Sequence, residues 1–195
     1  DFFWNSSLSD SQKACILRRG IDLGMTFIDT AEAYGNGQSE RIVAQAVKGL
    51  SDRVVLASKF SPEHNSVEGV LHAVEGSLRR LETDYLDLLY LHIWDRRTPV
   101  EEILRAFDDL VRAGKILYVG ISDTPAWQAS RMQAIAELRG WSPLVALQVP
   151  YNLTERTAER DLIPMAREMG MGVLPWSPLA GGVLSGKYGL KDLSR

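Results

Sequence analysis

The sequence predicts an α/β protein, a (β/α)8 TIM barrel that is incomplete, with about six of the eight strand–helix units present. Two observations carry this prediction. Short, largely apolar segments alternate with amphipathic helical segments along the chain, which indicates a parallel sheet covered by helices. Polar or aromatic residues also stand at the carboxyl end of each predicted strand in turn. An open sheet would instead concentrate its ligand groups at one switch point, so the barrel is favoured.

The first half of the chain predicts three helices, each followed by a strand. Apolar residues at helical spacing indicate the helices, and the first begins with Ser9 and Gln12 in capping-box spacing and ends at Gly24. Each strand is a short apolar run that ends in a polar residue. The predicted helices are 9–24, 39–50 and 67–81, and the predicted strands are 26–29, 54–59 and 86–92.

The second half repeats this pattern, without a linker or a low-complexity tract. The helix that begins at Val100 ends before Gly114, and two further helix–strand units follow. The predicted helices are 100–113, 127–139 and 156–169, and the predicted strands are 117–122, 144–150 and 172–176. We therefore expect one barrel domain over 1–195. Because a complete barrel has eight strands, we expect this domain to be truncated at both ends.

Composition and charge exclude several classes of function. The 195 residues are 45% hydrophobic and 24% charged, with a net charge of -3, so no basic field points to nucleic acid or an anionic membrane. Cys15 is the only cysteine, which excludes an internal disulfide and a cysteine-based zinc site and fits a reducing, cytoplasmic location. We expect no bound metal and no membrane span. The N-terminal segment has no signal-peptide pattern and no initial methionine, so we expect the numbering to begin inside a longer gene product.

Four side chains at or after successive strand ends predict a proton-donating site. A buried carboxylate at Asp29 needs a partner, and Lys59 at the end of the next strand can supply one. Tyr34 alone would titrate near about 10, and we expect the Lys59 ammonium to lower this pKa by favouring the phenolate. His92 can hydrogen-bond the same substrate oxygen. Together they would protonate the alkoxide that forms when a cofactor delivers hydride to a carbonyl group.

Each of these four residues alone also fits a purely structural role. An Asp–Lys pair at strand ends is more often structural, Tyr34 could cover the barrel mouth, and His92 could be a satisfied interior histidine. Their joint occurrence at successive strand ends is what favours catalysis.

The segments around these residues resemble the aldo-keto reductases. The run Phe27-Ile28-Asp29-Thr30-Ala31-Glu32-Ala33-Tyr34-Gly35, followed by Ser39-Glu40, is similar to the signature of that family. Further similar segments are 57–59, 84–92 and 113–122, and the resemblance extends over residues 16–188. It implies reversible, NADPH-dependent reduction of aldehydes or ketones to alcohols, with a small carbonyl compound as the substrate.

The resemblance also implies a role for each matching residue. Tyr34 is implied to be the general acid, Lys59 and Asp29 its tuning pair, and His92 the group that orients the carbonyl. The implied cofactor-binding residues are Ser122, Asp123, Gln148, Trp176, Ser177, Leu179 and Gly181. Of these, Ser122 and Gln148 correspond to residues that bind the nicotinamide carboxamide. Trp176 corresponds to the aromatic residue that stacks on the ring, and the residues after it to a loop that contacts the pyrophosphate.

Two features narrow what the resemblance implies. Position 123 is Asp where much of the family has Asn, and a carboxylate cannot donate a hydrogen bond as an amide does. The preference for NADP over NAD is implied by the family alone, because in this family the 2'-phosphate site follows the point where the sequence stops. The segment 122–127, with Trp94-Asp95, is similar to the aryl-alcohol dehydrogenase branch and favours aromatic or other small aldehydes. No oligomeric state is predicted.

Two other interpretations remain to be compared with the structure. Residues 181–187 fit the G-x-x-x-x-G-K pattern of a phosphate loop, but Tyr188 stands where Ser or Thr would hold magnesium, so an NTPase is not supported. His64 and His72, in or near a predicted helix, are expected to lie in solvent. The alternative function is a regulatory nicotinamide-binding barrel resembling the potassium-channel β subunits, which can keep the cofactor and much of the catalytic set.

Overall fold

The computed structural model describes residues 7–188 as six parallel strands that alternate with six α-helices. The strands are β1 (Phe27–Asp29), β2 (Val55–Phe60), β3 (Leu86–Leu91), β4 (Ile116–Ser122), β5 (Leu144–Pro150) and β6 (Gly172–Trp176). The helices are α1 (Asp10–Asp22), α2 (Gln38–Val47), α3 (Val67–Leu81), α4 (Val100–Arg112), α5 (Ala126–Arg139) and α6 (Leu162–Glu168). Strand order in the sheet follows chain order, β1 to β6, which confirms the predicted parallel α/β fold of barrel type with six units. The ends of the predicted domain, 1–6 and 189–195, lie outside the described residues.

Most element boundaries agree with the sequence predictions to within a few residues, and α1 begins with the predicted capping box. The Gln12 amide donates to Ser9 Oγ at 3.3 Å, and the Ser9 amide donates to Gln12 Oε1 at 2.9 Å. The predicted helix 156–169 is wrong at its start, because a short 3-10 helix (Thr157–Glu159) precedes α6. Pro164 has no amide proton and is tolerated only in a first turn, so the helix begins at Leu162.

Successive residues of each strand point to opposite faces of the sheet, and the two faces carry different clusters of buried residues. The face toward the helices carries the main core, which includes Leu56 and Phe60 of β2 and the Phe107 ring 5.8 Å from Phe60. Burial of each such side chain contributes about 1.5–3 kcal/mol. The inner face carries a smaller cluster, formed by Ala57, Leu88, Tyr90 and Ala146. Lys59 follows Ala57 by two residues and so points to the inner face as well.

A glycine in β4 makes the inner face wide enough for the Tyr90 ring. A Cβ atom at Gly120 would lie 2.6 Å from Tyr90 Cε1 and 3.0 Å from the Ala146 carbonyl oxygen, so any larger residue would clash. Tyr90 also pairs with Lys59 in the register of β2 and β3, and Lys59 Nζ lies 6.0 Å from its ring centroid. The Tyr90 ring therefore forms part of the floor beneath Lys59.

Candidate active site

The carboxyl ends of β1, β2 and β3 bring three of the four predicted proton-donating residues together. Asp29 is the last residue of β1, Lys59 lies one residue before the end of β2, and His92 directly follows β3. Because the strands are parallel and in register, with Asp29 opposite Ala57, these ends meet at one edge of the sheet.

Lys59 and Asp29 form the ion pair that the sequence predicts. Lys59 Nζ donates to Asp29 Oδ2 at 2.5 Å and to the Thr30 carbonyl oxygen at 2.8 Å. The Lys59 side chain is 0% exposed, whereas that of Asp29 is 29% exposed. A buried ammonium is stable only when paired and hydrogen-bonded, and these two partners meet that requirement.

Tyr34 reaches the same place from the loop between β1 and α2. Lys59 Nζ lies 5.0 Å from the centroid of the Tyr34 ring. The His92 ring meets the Tyr34 ring edge to face, with the centroids 5.7 Å apart and the planes at 80°. Tyr34 and His92 are both half-buried, so the two rings leave the site open to a ligand. The structure therefore brings all four predicted residues into one cluster.

The expectation that Lys59 lowers the pKa of Tyr34 is wrong. Burial, with smaller contributions from Asp29 and Asp123, raises the pKa of Tyr34 to about 12. Asp29 compensates the Lys59 charge at 2.5 Å, so little net positive charge acts on the phenol, while burial removes water from the phenolate. Tyr34 is therefore fully protonated at neutral pH and carries a proton that it can donate.

The pKa values of the two basic groups beside Tyr34, Lys59 and His92, are also shifted by their surroundings. Burial lowers the pKa of the Lys59 ammonium, and the attraction and hydrogen bond of Asp29 act in the opposite direction. Burial likewise lowers the pKa of His92, and Lys59 adds to this decrease while nearby carboxylates oppose it. His92 is thus a neutral imidazole at pH 7, with one ring nitrogen that donates and one that accepts a hydrogen bond.

The predicted carboxamide-binding residues are neighbours on β4 and β5. Ser122 and Gln148 are paired in the parallel register and are 2% and 7% exposed. Within residues 7–188, neither side chain has a hydrogen-bond partner for its polar atoms. A buried amide and hydroxyl with unused hydrogen-bonding capacity fit the carboxamide of a nicotinamide ring, which both donates and accepts.

Trp176 at the end of β6 presents an indole that is 40% exposed and touches Asp123. Trp176 Nε1 donates to Asp123 Oδ1 at 3.3 Å. Asp123 itself has a left-handed backbone conformation, with φ of 41°, which is costly for a residue with a side chain. Asp123 therefore takes part in the site as an acceptor for the indole, a role that does not require an amide.

The segment after β6 is exposed and contains a kinked 3-10 helix (Ala180–Ser185). Ser177 has φ of 53° and Leu179 is 53% exposed. Gly181 has φ of 65°, and no heavy atom lies within 4 Å of the position that its Cβ would take. The Asn152 side chain holds the loop at one point by donating to the Ser177 carbonyl oxygen at 3.0 Å. The exposed backbone fits the predicted contact with a pyrophosphate group.

Sequence reasoning missed a set of charged residues behind the Tyr34 loop. Glu32, Glu40 and Arg80 form ion pairs there, and His64 Nδ1 hydrogen-bonds Glu32 Oε1 at 2.8 Å. His64 is expected to lie in solvent; its side chain is 38% exposed but also has this partner, whereas His72 is exposed as expected. The signature segment contains Glu32 and Glu40, but nothing local to Arg80 indicates that it packs against them.

The part of the chain described by the structure, 7–188, contains no group of three His, Cys, Asp or Glu side chains placed to hold a metal ion. No helix in the same part is long and apolar enough to cross a membrane. Cys15 is a free cysteine, exposed on α1.

Comparison with known proteins gives a consistent result. The model of the family described as "Aldo/keto reductase family" matches residues 2–192. Among solved structures, an aldo/keto reductase from Klebsiella pneumoniae in complex with NADP and acetate superposes with a TM-score of 0.85 at 37% identity, over 95% of this chain and 64% of that chain. Fold and sequence therefore point to the same family.

Two curated relatives are similar over most of this chain. Uncharacterized oxidoreductase YrpG of Bacillus subtilis is 41% identical over 88% of this chain and 59% of its own length. Norsolorinic acid reductase of Aspergillus flavus is 39% identical over 92% of this chain and 51% of its own length. The chain thus spans between about half and two thirds of the length of the proteins that it matches.

Proposed function

The chain belongs to the aldo/keto reductase family, and from this premise we propose that the protein reduces an aldehyde or ketone to an alcohol with NADPH. Tyr34 donates the proton, His92 orients the substrate, and Lys59 stabilises the tyrosinate that remains. The observation that carries this proposal is the contact of one protonated phenol with a buried ammonium and a neutral imidazole.

The reaction needs a proton at the carbonyl oxygen when hydride reaches the carbonyl carbon. The raised pKa keeps the Tyr34 hydroxyl protonated until negative charge develops on that oxygen, and the proton then passes from the phenol to the alkoxide. His92 donates a hydrogen bond from its neutral ring to the same oxygen and orients the substrate. The Lys59 ammonium, 5.0 Å from the ring centroid, stabilises the tyrosinate that remains.

The residues of β4, β5 and β6 fit a nicotinamide cofactor, which supplies the hydride when bound. Ser122 and Gln148 would hold its carboxamide with hydrogen-bonding groups that are otherwise unused. The exposed face of Trp176 would stack on the ring, with Asp123 holding the indole. The backbone of Ser177, Leu179 and Gly181 would contact the phosphates. The preference for NADPH is supported by the Klebsiella pneumoniae neighbours, whose structures contain NADP and NADPH.

The proposed substrates are aromatic or other small aldehydes. Two relatives support this class by name, a probable aryl-alcohol dehydrogenase of Saccharomyces cerevisiae and an aryl-alcohol dehydrogenase of Phanerodontia chrysosporium whose name specifies NADP(+). Aromatic residues also lie in the segment after β3 and in the first turn of α5. The Trp94 and Trp127 rings meet edge to face 5.4 Å apart, and Trp127 is 63% exposed. Such rings favour contact with another aromatic group.

The test is steady-state oxidation of NADPH with an aromatic aldehyde by the wild-type protein and by Tyr34→Phe. The substitution removes the donated proton and keeps the ring, so we expect kcat to fall by about 10²–10⁴-fold while NADPH still binds. Tyr85→Phe, which removes the hydroxyl of a residue that precedes β3 and is 38% exposed, is the matched control and should turn over normally.

Binding of NADPH without turnover in the wild-type protein would contradict the reductase proposal. That result would favour the regulatory alternative, in which the barrel keeps its cofactor and acts through a partner. Undiminished turnover in Tyr34→Phe would keep the reductase and remove Tyr34 as its acid.

A further inference from the structure

Behind the Tyr34 loop, on the face of the sheet that meets the helices, lies a fully buried carboxylate. Glu40, in the first turn of α2, is 0% exposed. Its Oε1 accepts a hydrogen bond from Ser58 Oγ at 2.6 Å, and its Oε2 accepts one from Arg80 Nε at 2.5 Å. Ser58 and Lys59 are consecutive in β2 and point to opposite faces, so this contact lies directly behind the Lys59 site. Glu40 thereby joins α2 to β2 and α3.

Arg80, in the last turn of α3, extends from Glu40 toward a second carboxylate. Its Nη2 lies 4.0 Å from Glu32 Oε2, and its side chain is 22% exposed. The path requires a glycine, because a Cβ atom at Gly37 would lie 2.6 Å from Arg80 Cδ. Glu32 precedes Tyr34 in the chain and Glu40 follows it. One guanidinium therefore contacts residues on both sides of the tyrosine.

Glu32 connects the front of the same loop to the segment that follows β2. Its Oε1 accepts hydrogen bonds from the Ser61 amide at 2.5 Å and from His64 Nδ1 at 2.8 Å. Its amide donates to the Lys59 carbonyl oxygen at 3.2 Å. The loop is thus tied to β2 through both the backbone and the side chain of Glu32.

Hydrogen bonds within the loop connect Tyr34 to the residues that Glu32 and Glu40 hold in place. The Ser39 amide donates to the Tyr34 carbonyl oxygen at 3.2 Å, and the hydroxyls of Ser39 and Thr30 are 2.6 Å apart. The Thr30 carbonyl oxygen in turn accepts from Lys59 Nζ at 2.8 Å. Because Ser39 directly precedes Glu40, a shift in the first turn of α2 would move Tyr34 relative to Lys59.

We infer that Arg80 is a positioning residue for proton transfer, which fixes the Tyr34 loop, residues 30–39, by bridging Glu32 and Glu40. Arginine suits this task better than lysine, since its planar group donates to Glu40 through Nε and to Ser77 Oγ through Nη2, which holds its charge 4.0 Å from Glu32 Oε2. The inference rests on the proposed reductase function, but Arg80 acts through the loop and does not touch the reacting groups.

The experiment compares Arg80→Lys and Arg80→Met with the control Arg131→Met. Arg131 pairs with Glu101 at 2.7 Å between two exposed helical side chains and takes no part in the site. The double variant Arg80→Met with Glu40→Gln removes the charge of the fully buried Glu40 together with its partner and covers the case in which Arg80→Met does not fold. Each variant is measured for kcat and KM with NADPH and an aromatic aldehyde, and for amide hydrogen exchange without substrate.

We expect Arg80→Met and the double variant to lower kcat by about 10- to 100-fold, because small displacements of reacting groups have effects of this size. The KM for NADPH should stay unchanged, and Arg80→Lys should recover part of kcat. Amide exchange should become faster in residues 30–39 and stay unchanged in β5. Arg131→Met should behave as the wild type in every measurement.

Two results would overturn the inference. One is exchange that becomes faster throughout the chain to the same extent, which would make Arg80 a general stabilising residue. The other is unchanged exchange in residues 30–39, whatever the value of kcat. Exchange needs no turnover, so it tests the role of Arg80 even if the wild-type protein reduces no aldehyde, a failure that would count against the proposed function alone.

Discussion

The two halves of the carboxyl face of the sheet differ in exposure within residues 7–188. Around β1, β2 and β3, Lys59 is 0% exposed and all its hydrogen bonds go to protein oxygens. Around β4, β5 and β6, Trp176 is 40% exposed, and Leu179 in the segment that follows is 53% exposed. Residues that stabilise the charge developing in a transition state must be oriented by the protein before the reaction. A surface that binds a ligand can instead be completed by the ligand itself.

This difference leads to separate expectations for the two halves. Changes near Lys59 should alter both the rate of the chemical step and the stability of the fold, since they disturb buried charges. Changes near Trp176 should alter mainly the affinity for the cofactor, since these groups are exposed within residues 7–188. The predictions below test this separation, and the largest expected effect comes first.

Replacing Lys59 with methionine should have the largest effect. Asp29 would lose its cation, which costs about 3 kcal/mol of unfolding free energy. The tyrosinate would also lose its stabilising charge, and we expect kcat to fall by about 10³-fold. Urea unfolding and steady-state NADPH oxidation measure the two effects. The control is Lys115→Met, whose partner Glu75 lies 3.3 Å away at the exposed surface, and its stability should change by less than about 1 kcal/mol.

The pH dependence of kcat should show which of Lys59 and Tyr34 loses its proton first. Lys59 deprotonates below its ordinary pKa, while Tyr34, with a pKa of about 12, keeps its proton. The rate of reduction should therefore decrease with rising pH as Lys59 becomes neutral. Asp29→Asn removes the contributions that raise the pKa of Lys59, so the decrease should move to lower pH.

This pH prediction is checked by measuring kcat at saturating NADPH from neutral to alkaline pH. Asp109→Asn, which removes an exposed carboxylate of α4 that lies 3.9 Å from Arg105, should leave the profile in place. A decrease that stays at the same pH in Asp29→Asn would mean that another group controls it.

Asp123→Ala should have the smallest effect, on affinity in the second half. The indole of Trp176 would lose the acceptor of its 3.3 Å hydrogen bond, and we expect the Kd for NADPH to rise by about two- to fivefold. Asp123→Asn keeps an acceptor oxygen and should retain most of the affinity. Fluorescence titration of the cofactor measures both. Equal losses in the two variants would show that the carboxylate charge, and not the hydrogen bond to Trp176, sets the affinity.

Around β1, β2 and β3, the sequence predicts the positions of the site residues better than it predicts their pKa values. The strand ends place Asp29, Lys59 and His92 correctly because parallel register follows from local apolar runs. The pKa of Tyr34 could not be predicted in the right direction. It depends on how closely Asp29 compensates Lys59 and on how much water burial removes, and both are properties of the packed structure.

The Arg80 cluster shows a second limit of sequence reasoning. Arg80 and Glu40 are 40 residues apart, and each fits an ordinary polar position on its own helix. Their pairing depends on how α2 and α3 pack and on the space that Gly37 leaves. Likewise, the departure at Asp123 is visible in the sequence, but its partner Trp176 is set only by the approach of β6.

The most direct test of the separation between the halves is to measure kcat and the Kd for NADPH in both Tyr34→Phe and Trp176→Ala. We expect Tyr34→Phe to lose about 10²-fold or more in kcat with an unchanged Kd. Trp176→Ala should raise the Kd by about 3- to 10-fold, with a much smaller loss in kcat at saturating cofactor. A wild-type kcat in Tyr34→Phe would contradict the assignment of proton donation to the first half. A wild-type Kd in Trp176→Ala, with a kcat as low as that expected for Tyr34→Phe, would contradict the assignment of cofactor binding to the second.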